Sequence, residues 1–173
     1  MHYFEKKIFD EESLPFELLD QWKVAGEKLV FTNGCFDLLH RGHIHYLSSA
    51  AKLGDRLIVG LNSDDSVKRL KGSTRPVKDQ KNRAEILAAL QMVDLVLVFH
   101  EDTPFRLIEK VMPDILVKGG DWPIENIVGA KLVKANKGKV ISLEFIPGES
   151  SSDMIHKIRA TKENKDQQPT TNN

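Results

Sequence analysis

The chain has 173 residues, of which 40% are hydrophobic and 29% are charged, a composition typical of one globular domain with a sizeable core. Its 25 lysines and arginines balance its 25 aspartates and glutamates, which argues against long nucleic acid or an anionic membrane surface as a partner. Because the sequence has one cysteine, an acidic N-terminus and no apolar run near the roughly 18 residues of a membrane span, we expect a soluble, cytoplasmic protein without an intrachain disulfide.

Residues 1–27 are predicted to form an N-terminal helical extension docked on the domain, because apolar residues recur at helical spacing from Ser13 to about Glu27. Apolar, β-branched runs then alternate with helical patterns. The predicted strands are 28–32, 56–62, 94–99, 114–120 and 139–145, and the predicted helices are 42–53, 63–70, 82–92, 103–111, 126–136 and 152–160. This alternation predicts an α/β fold, a doubly wound and mainly parallel sheet with helices on both faces. We expect the domain to span 28–160 and residues 161–173 to be a disordered tail.

The loop after the first predicted strand is the first candidate site, because ligands of an open parallel sheet bind beyond the carboxyl ends of its strands. It reads TNGCFDLLHRGH over residues 32–43. Gly34 permits close approach of the backbone to a ligand, and Gly42 lets the next helix start without a side chain in the way. His40 and His43 are three residues apart, so they share a helix face near its positive end and suit hydrogen bonds to phosphate oxygens.

Other interpretations of this loop compete with phosphate binding. The histidines can be a polar helix start and Asp37 a simple turn residue, since short motifs match by chance. A zinc site is the weaker alternative, because a single cysteine without a downstream His-Cys cluster leaves the ligand set incomplete. A nucleophilic role for Cys35 is equally weak, since no base is evidently arranged for it.

A basic segment, KRLKGSTRPVKDQKNR over residues 68–83, stands out in a chain that is otherwise balanced in charge. Such runs are commonly solvated surfaces, and this one can be no more than that. However, Gly72 and Pro76 interrupt the strand-helix alternation on the C-terminal side of a strand. We therefore favour a mobile flap that closes over phosphates.

Two later segments lie at the same predicted edge of the sheet. LVKGGDW, residues 116–122, is either a glycine-rich turn with a packing tryptophan or a place where backbone approaches a ligand closely. GESSSDMIHKI, residues 148–158, places three serines at a predicted helix start, where hydroxyls and free backbone amides either cap the helix or hold a phosphate. Capping alone explains one serine and not three.

These segments together resemble one family. GCFDLLHRGH is similar to the GxFDxxHxGH signature of the cytidylyltransferase-like branch of the HxGH nucleotidyltransferases, whose Rossmann-like domain transfers a nucleotidyl group from a nucleoside triphosphate to a phosphorylated acceptor. The blocks GDRLIVGLNSDDSVKRLKGSTRPV, NRAEILAALQMVDLVLVF, EDTPFRLIEKVMPDILVKGGDW and SSSDMIHKI look like those of one subfamily, the heptose 1-phosphate adenylyltransferases of ADP-heptose synthesis. The resemblance covers about residues 28–159.

The resemblance implies an adenylyltransferase that transfers AMP from ATP to D-glycero-β-D-manno-heptose 1-phosphate, giving ADP-heptose and pyrophosphate. Mg²⁺ would enter with ATP and be held mainly by the substrate, with no metal held mainly by protein. A homodimer and a role in lipopolysaccharide core or another surface glycan are also implied. Since the sequence contains no fused sugar kinase, we expect a separate heptose kinase to supply the acceptor.

The same resemblance assigns residues to the site. His40, His43 and Lys71 would be catalytic, and Lys118 and Trp122 would contact the acceptor. The expected nucleotide- and phosphate-binding residues are Asn33, Gly34, Cys35, Phe36, Asp37, Gly42, Arg75, Arg83, Gly119, Gly120, Asp121, Ser150, Ser151 and Ser152. Asp37 is expected to shape its loop rather than to perform acid-base chemistry.

Departures from the family pattern bear on the substrate. Glycerol-phosphate cytidylyltransferases have MGDDW where this chain has KGGDW, and they carry an arginine before their serine-threonine block that is absent here. Both departures favour the heptose subfamily. The alternatives are a CTP-dependent glycerol 3-phosphate or phosphoethanolamine cytidylyltransferase, a GDP-heptose-forming relative, or a nucleotide-sensing module without turnover. An aminoacyl-tRNA synthetase fragment is disfavoured by the short chain and its neutral charge balance.

Overall fold

The computed structural model describes residues 2–120, 122–144, 151, 154, 155, 157, 158 and 161. Within them, six strands form one parallel sheet: β1 (Ile8–Asp10), β2 (Leu29–Gly34), β3 (Arg56–Asn62), β4 (Leu95–Phe99), β5 (Ile115–Gly119) and β6 (Lys139–Leu143). The α-helices are α1 (Phe16–Val24), α2 (Arg41–Ala51), α3 (Asp64–Lys71), α4 (Gln80–Ala89), α5 (Phe105–Val111) and α6 (Ala130–Ala135), and Tyr3–Lys7 and Ile124–Asn126 are 3₁₀ turns.

Helices cover both faces of the sheet. One buried cluster joins the strands to α1, α5 and α6 through residues such as Leu19, Ile108 and Val133. The other joins the strands to α2 and α4 through residues such as Leu47 and Leu87. The predicted α/β, doubly wound fold is therefore confirmed.

The strand order β1-β4-β3-β2-β5-β6 places a switch point between β2 and β5. The chain passes from β2 through β3 to β4, and then returns to lay β5 on the other side of β2. The pairing of β2 with β5 is limited to two register positions, Val30 with Ile115 and Phe31 with Leu116, whereas β2 and β3 pair at six. A gap therefore opens between the carboxyl ends of β2 and β5, and a gap at a switch point is where ligands of such sheets bind.

Two differences between the observed and the predicted elements stand out. Strand β1 lies inside the predicted helical extension and pairs in parallel with β4, so this region adds an edge strand as well as a helix. The predicted helix 126–136 begins only at Ala130, since Gly129 before it has a φ of 85° and a Cβ there would lie 2.8 Å from Ile108 Cδ1. The predicted helix 152–160 and tail 161–173 fall mostly outside the described residues. No helix among those described has the length and hydropathy needed to cross a bilayer.

Candidate active site

A cavity of about 490 Å³ opens at the carboxyl ends of the strands, beside the gap between β2 and β5. We call it the main cavity. The predicted site residues that line it are Asn33, Gly34, Cys35, Phe36, Asp37, His43, Lys71, Lys118, Gly119, Trp122 and Ser151. The structure thus brings together residues that are more than 100 positions apart in the sequence.

The two histidines lie at the start of α2. His40 is the N-cap residue and His43 is in the first turn, with their ring centroids 3.9 Å apart. The backbone N–H of His40 donates to Nδ1 of His43 at 3.4 Å. His43 lines the main cavity, whereas His40 lies beside it, and the buried Gly42 leaves the helix start free of a side chain between them. The positive end of the α2 dipole therefore points to this region of the cavity.

Burial lowers the pKa of the His43 imidazole to about 4, and the neighbouring His40 and Lys71 act in the same direction. The ring is therefore neutral near pH 7. Because Nδ1 accepts the His40 N–H, we assign the ring proton to Nε2. His43 is thus a neutral hydrogen-bond donor, which suits it to a phosphate oxygen without requiring it to take up a proton.

The loop after β2 is held in an unusual conformation. Phe36 is buried and has a φ of 43°, in the left-handed region that non-glycine residues seldom adopt. Its ring lies 5.3 Å from that of His43, centroid to centroid. A Cβ on Gly34 would lie only 3.0 Å from the Phe36 ring, so glycine at this position lets the ring fold back over the end of the strand. The loop is therefore shaped by packing before any ligand arrives.

The basic segment is anchored to this loop through Asp37. The Asp37 carboxylate accepts hydrogen bonds from Arg75 Nε at 2.6 Å and from the backbone N–H groups of Val77 at 2.7 Å and Lys78 at 3.0 Å. Burial acts to raise the pKa of Asp37, but the hydrogen bonds from Lys78, Arg75 and Val77 outweigh it and leave the pKa below its ordinary value. The predicted flap is thus tied down at its second half, and a role of Asp37 in shaping the loop agrees with these contacts.

The structure does not bring Arg83 or Arg75 to the main cavity. The Arg83 side chain has 0% exposure, and it donates to the Cys35 carbonyl at 2.6 Å, to Asp64 Oδ1 at 2.8 Å and to the Lys78 carbonyl at 3.1 Å. Instead of the expected phosphate contact, Arg83 therefore holds together the loop after β2, the start of α3 and the basic segment. Arg75 is directed to Asp37, and its Nη2 is buried without a hydrogen-bond partner among the described residues.

Two lysines supply positive charge to the main cavity. Lys71 is exposed at the end of α3, and the half-buried Lys118 extends from β5 with its Nζ 3.5 Å from Asn33 Oδ1. Burial lowers the pKa of Lys118; the nearby Cys35 opposes this change and Lys71 adds to it. Together with the helix dipole, the lysines make the cavity attractive to an anion.

The end of β5 turns sharply at Gly120, whose φ is 99°. The Gly120 N–H donates to the Leu143 carbonyl at 2.8 Å, and its own carbonyl accepts from the Ser142 hydroxyl. This turn leaves Gly119 and the half-exposed Trp122 on the wall of the main cavity. Gly120, which was expected to bind the nucleotide, does not line the main cavity, and its positive φ explains why glycine stands there.

The serine block is described at one position. Ser151 lines the main cavity and its hydroxyl donates to the Leu38 carbonyl at 2.8 Å, which links this residue to the loop after β2. Asp121, Ser150 and Ser152 lie outside the described residues.

Several lining residues were not named from the sequence, namely Tyr46, Asn62, Leu70, Asp102, Thr103, Pro104 and Val128. The hydroxyls of Tyr46 and Thr32 lie 2.6 Å apart, and Tyr46 also donates to the Val117 carbonyl at 3.4 Å, so its ring spans the gap between β2 and β5. Burial raises the pKa of Tyr46 to about 12. Asn62 is the last residue of β3, and Asn33 is the last but one of β2. An asparagine at the carboxyl end of a predicted strand is the sequence signal that would have identified Asn62 as a lining residue.

No group of three or more histidine, cysteine or acidic side chains is arranged to bind a metal ion in the part of the chain that the structure describes. Asp37 already accepts three hydrogen bonds. Asp102, which also lines the main cavity, accepts from Arg69 Nε at 2.6 Å. These carboxylates are therefore engaged by protein donors.

Comparison with known proteins adds the following similarities. The family model described as Cytidylyltransferase-like matches residues 31–157. The Bifunctional protein HldE of Pasteurella multocida (strain Pm70) is 57% identical over 143 residues, which is 83% of this chain and 30% of that protein. HldE of Rhodopseudomonas palustris (strain BisA53) is 54% identical over 137 residues, 79% of this chain and 28% of that protein. The chain thus spans less than a third of the length of these curated relatives.

A solved structure is also similar. It is the lipopolysaccharide core biosynthesis protein from Thermoplasma volcanium GSS1, with 31% sequence identity and a TM-score of 0.57. The match covers 72% of this chain and 100% of that one.

Proposed function

Because this chain belongs to the cytidylyltransferase-like family, we propose that it transfers AMP from ATP to D-glycero-β-D-manno-heptose 1-phosphate and releases pyrophosphate. The family match confirms the resemblance found in the sequence blocks. The observation that carries the proposal is that His43, Lys71 and Lys118 line one cavity at the switch point of the sheet. High identity to proteins named HldE over about four fifths of the chain supports heptose 1-phosphate as the acceptor.

The reaction requires the protein to position the two substrates and to offset their negative charge, and it does not require a general base. A phosphate oxygen of the acceptor forms a bond to the α-phosphorus of ATP while the bond from that phosphorus to the bridging oxygen breaks, and the electron pair leaves with pyrophosphate. The acceptor phosphate is already a dianion near neutral pH, so no proton has to be removed. No Ser-His-Asp or Cys-His arrangement is apparent in the sequence motifs, which agrees with a reaction that needs no general base.

The cavity residues match those needs. Lys71 and Lys118 offset the repulsion between two anionic substrates, and each cation about 4 Å from a phosphate charge is worth roughly 4 kcal/mol at an effective dielectric near 20. His43, as a neutral Nε2–H donor at the start of α2, can stabilise charge that develops on the α-phosphate. His40 positions the His43 ring through its backbone N–H.

We also propose that Mg²⁺ arrives as part of the nucleotide substrate, coordinated mainly by the triphosphate. The engagement of Asp37 and Asp102 by protein donors supports this division of ligands. A kinase separate from this domain would form the heptose 1-phosphate, and the protein would work as a homodimer in the cytoplasm, where ATP is available. Lipopolysaccharide core or another surface glycan would use the product; similarity to a Thermoplasma protein of lipopolysaccharide core biosynthesis supports that destination.

The decisive experiment is a pyrophosphate-release assay that combines ATP, CTP, GTP and UTP with heptose 1-phosphate, other sugar 1-phosphates, glycerol 3-phosphate and phosphoethanolamine. We expect the highest kcat/KM for ATP with heptose 1-phosphate. Release from CTP with glycerol 3-phosphate or phosphoethanolamine, but not from ATP with heptose 1-phosphate, would replace the proposal by a cytidylyltransferase. Tight ATP binding without turnover of any acceptor would replace it by a nucleotide-sensing module.

A further inference from the structure

A second, smaller cavity of about 200 Å³ adjoins the main cavity. We call it the side cavity. The two cavities share the residues Asn33, Pro104, Lys118, Trp122 and Val128. Asn126 and Ile127, in contrast, line only the side cavity. The shared residues form a common wall, so a molecule in the side cavity lies next to one in the main cavity.

The size of the side cavity suits a single ring. Pockets for larger organic ligands measure roughly 300 to 1,000 Å³, a range that includes the main cavity but exceeds the side cavity. The loop after β2, His43 and Lys71, which suit a triphosphate, lie on the main cavity. The nucleotide therefore fits the main cavity, and the side cavity is left for the acceptor.

The chemistry of the side cavity suits a sugar. Pro104, Ile127 and Val128 give it an apolar side, and the half-exposed Trp122 adds a flat aromatic surface. A sugar ring packs its C–H faces on such surfaces, while its hydroxyls need donors and acceptors at the edge. Asn126 provides both, because a side-chain amide has two N–H donors and a carbonyl acceptor.

The Asn126 side chain is available for this role. It is exposed, and within the described residues its amide makes no hydrogen bond. Its backbone is nevertheless fixed, since its N–H donates to the Pro123 carbonyl at 2.9 Å and the next residue, Ile127, is buried in the core. The φ of 85° at Gly129, close against Ile108, fixes the far side of the same turn. The wall that carries Asn126 is therefore preformed.

Lys118 stands at the boundary of the two cavities. Its ammonium group, 3.5 Å from Asn33 Oδ1, lies on the wall common to both. An acceptor with its ring in the side cavity would place its phosphate beside this cation, next to the α-phosphate of a nucleotide in the main cavity. That arrangement brings the two reacting groups together with a positive charge between them.

We infer that the side cavity holds the sugar ring of the acceptor and that Asn126 determines acceptor specificity by hydrogen-bonding the sugar hydroxyls. This inference rests on the proposed function, because it requires a sugar 1-phosphate to be the acceptor. It adds a residue to the site that neither the motif nor the family signature contains.

The test compares Asn126→Ala with Glu125→Ala in the full chain. Glu125 is exposed in the same 3₁₀ turn but lines neither cavity, so it controls for disturbance of the turn. The measurements are KM for heptose 1-phosphate, KM for ATP, kcat, and Kd for ATP without acceptor. We expect Asn126→Ala to raise KM for heptose 1-phosphate about 10-fold, the effect of one or two lost hydrogen bonds, and to leave Kd for ATP within about 2-fold. Glu125→Ala should match the wild type throughout.

The outcomes separate the two claims. If the wild type turns over heptose 1-phosphate and Asn126→Ala does so with an unchanged KM, the inference is wrong and the proposed function stands. If Asn126→Ala weakens ATP and acceptor binding alike, or if Glu125→Ala has the same effect, Asn126 acts on the turn and the inference is also wrong. If the folded wild type binds ATP but uses no sugar 1-phosphate, the proposed function fails and the inference fails with it.

Discussion

The Asp37 carboxylate accepts a hydrogen bond from Arg75 Nε at 2.6 Å, and the two side chains are only 1% and 12% exposed. The pair joins the loop that carries the histidine motif to the basic segment, 38 residues later in the sequence. Such a buried pair is costly to break from one side, because the remaining charge stays buried without its partner. Its contribution can be measured separately from catalysis.

Asp37→Asn should lower the free energy of unfolding by about 3 kcal/mol, since the Arg75 guanidinium would remain buried without a counter-charge. Urea denaturation of the two proteins measures this difference. Asp65→Asn is the matched control, because Asp65 forms an exposed pair with Lys68 and exposed pairs contribute less than about 1 kcal/mol. Equal urea midpoints for the two variants would show that the Asp37–Arg75 pair does not stabilise the fold.

The stability difference between the wild type and Asp37→Asn should depend on pH. The pKa of Asp37 in the folded protein lies below the ordinary value of 3.8, so the carboxylate contributes its full stabilisation above about pH 4 to 5. As the pH falls below 3.8 through the folded pKa, that contribution is lost, and the two unfolding free energies should converge. Urea unfolding at several pH values from about 6 down to about 2.5 measures the convergence; a constant difference would mean that Asp37 keeps an ordinary pKa.

His43→Ala should lower kcat by roughly 100- to 1,000-fold, the usual loss when a donor that stabilises the transition state is removed. Pyrophosphate release under saturating ATP and heptose 1-phosphate measures kcat. His45→Ala is the control, because His45 lies on the same helix and is exposed outside the main cavity. A folded His43→Ala protein with wild-type kcat would remove His43 from the mechanism.

The His43 ring should remain neutral, with its proton on Nε2, down to about pH 5 in the free protein. Its pKa of about 4 lies below the ordinary 6.5 because burial disfavours the imidazolium. Between these two values the unfolded chain binds more protons than the folded one, so the folded state loses stability as the pH falls through this window. Nitrogen-15 NMR titration measures the protonation state and the tautomer, with His43→Ala used to assign the signal; a midpoint near 6.5 would contradict the prediction.

Lys71→Ala should lower kcat/KM for ATP by about 10- to 100-fold, because it removes a cation from the wall of the main cavity. The effect should shrink with added salt, since Lys71 is exposed. Lys68→Ala, one helical turn earlier and outside the cavity, removes the same charge from α3 and should change kcat/KM by less than about 2-fold. A similar loss in both variants would mean that only the overall charge of α3 matters.

The alternation of apolar strands and helical patterns was sufficient to predict the fold, because five of the strands are long enough to show it. Strand β1 was not predicted, since three partly buried residues carry no periodicity, and its place is set by pairing with β4. The cluster around His43 was predictable because a parallel sheet places the carboxyl ends of all its strands at one edge. The burial of Arg83 could not be predicted, because its acceptors at Cys35 and Asp64 belong to elements that the sequence does not show to be adjacent.

Helix α2 carries both His43 and Tyr46, and the phenol of Tyr46 spans the two strands that separate at the switch point. One helix thus places His43 at the main cavity and, through Tyr46, also bridges β2 and β5. Lys118 follows Val117, the β5 residue that Tyr46 contacts, so the position of Lys118 between the two cavities depends on the same helix. If the proposed reaction is correct, α2 therefore sets the alignment of the two substrates, and we expect a shorter side chain at position 46 to misalign them although Tyr46 bridges only protein groups.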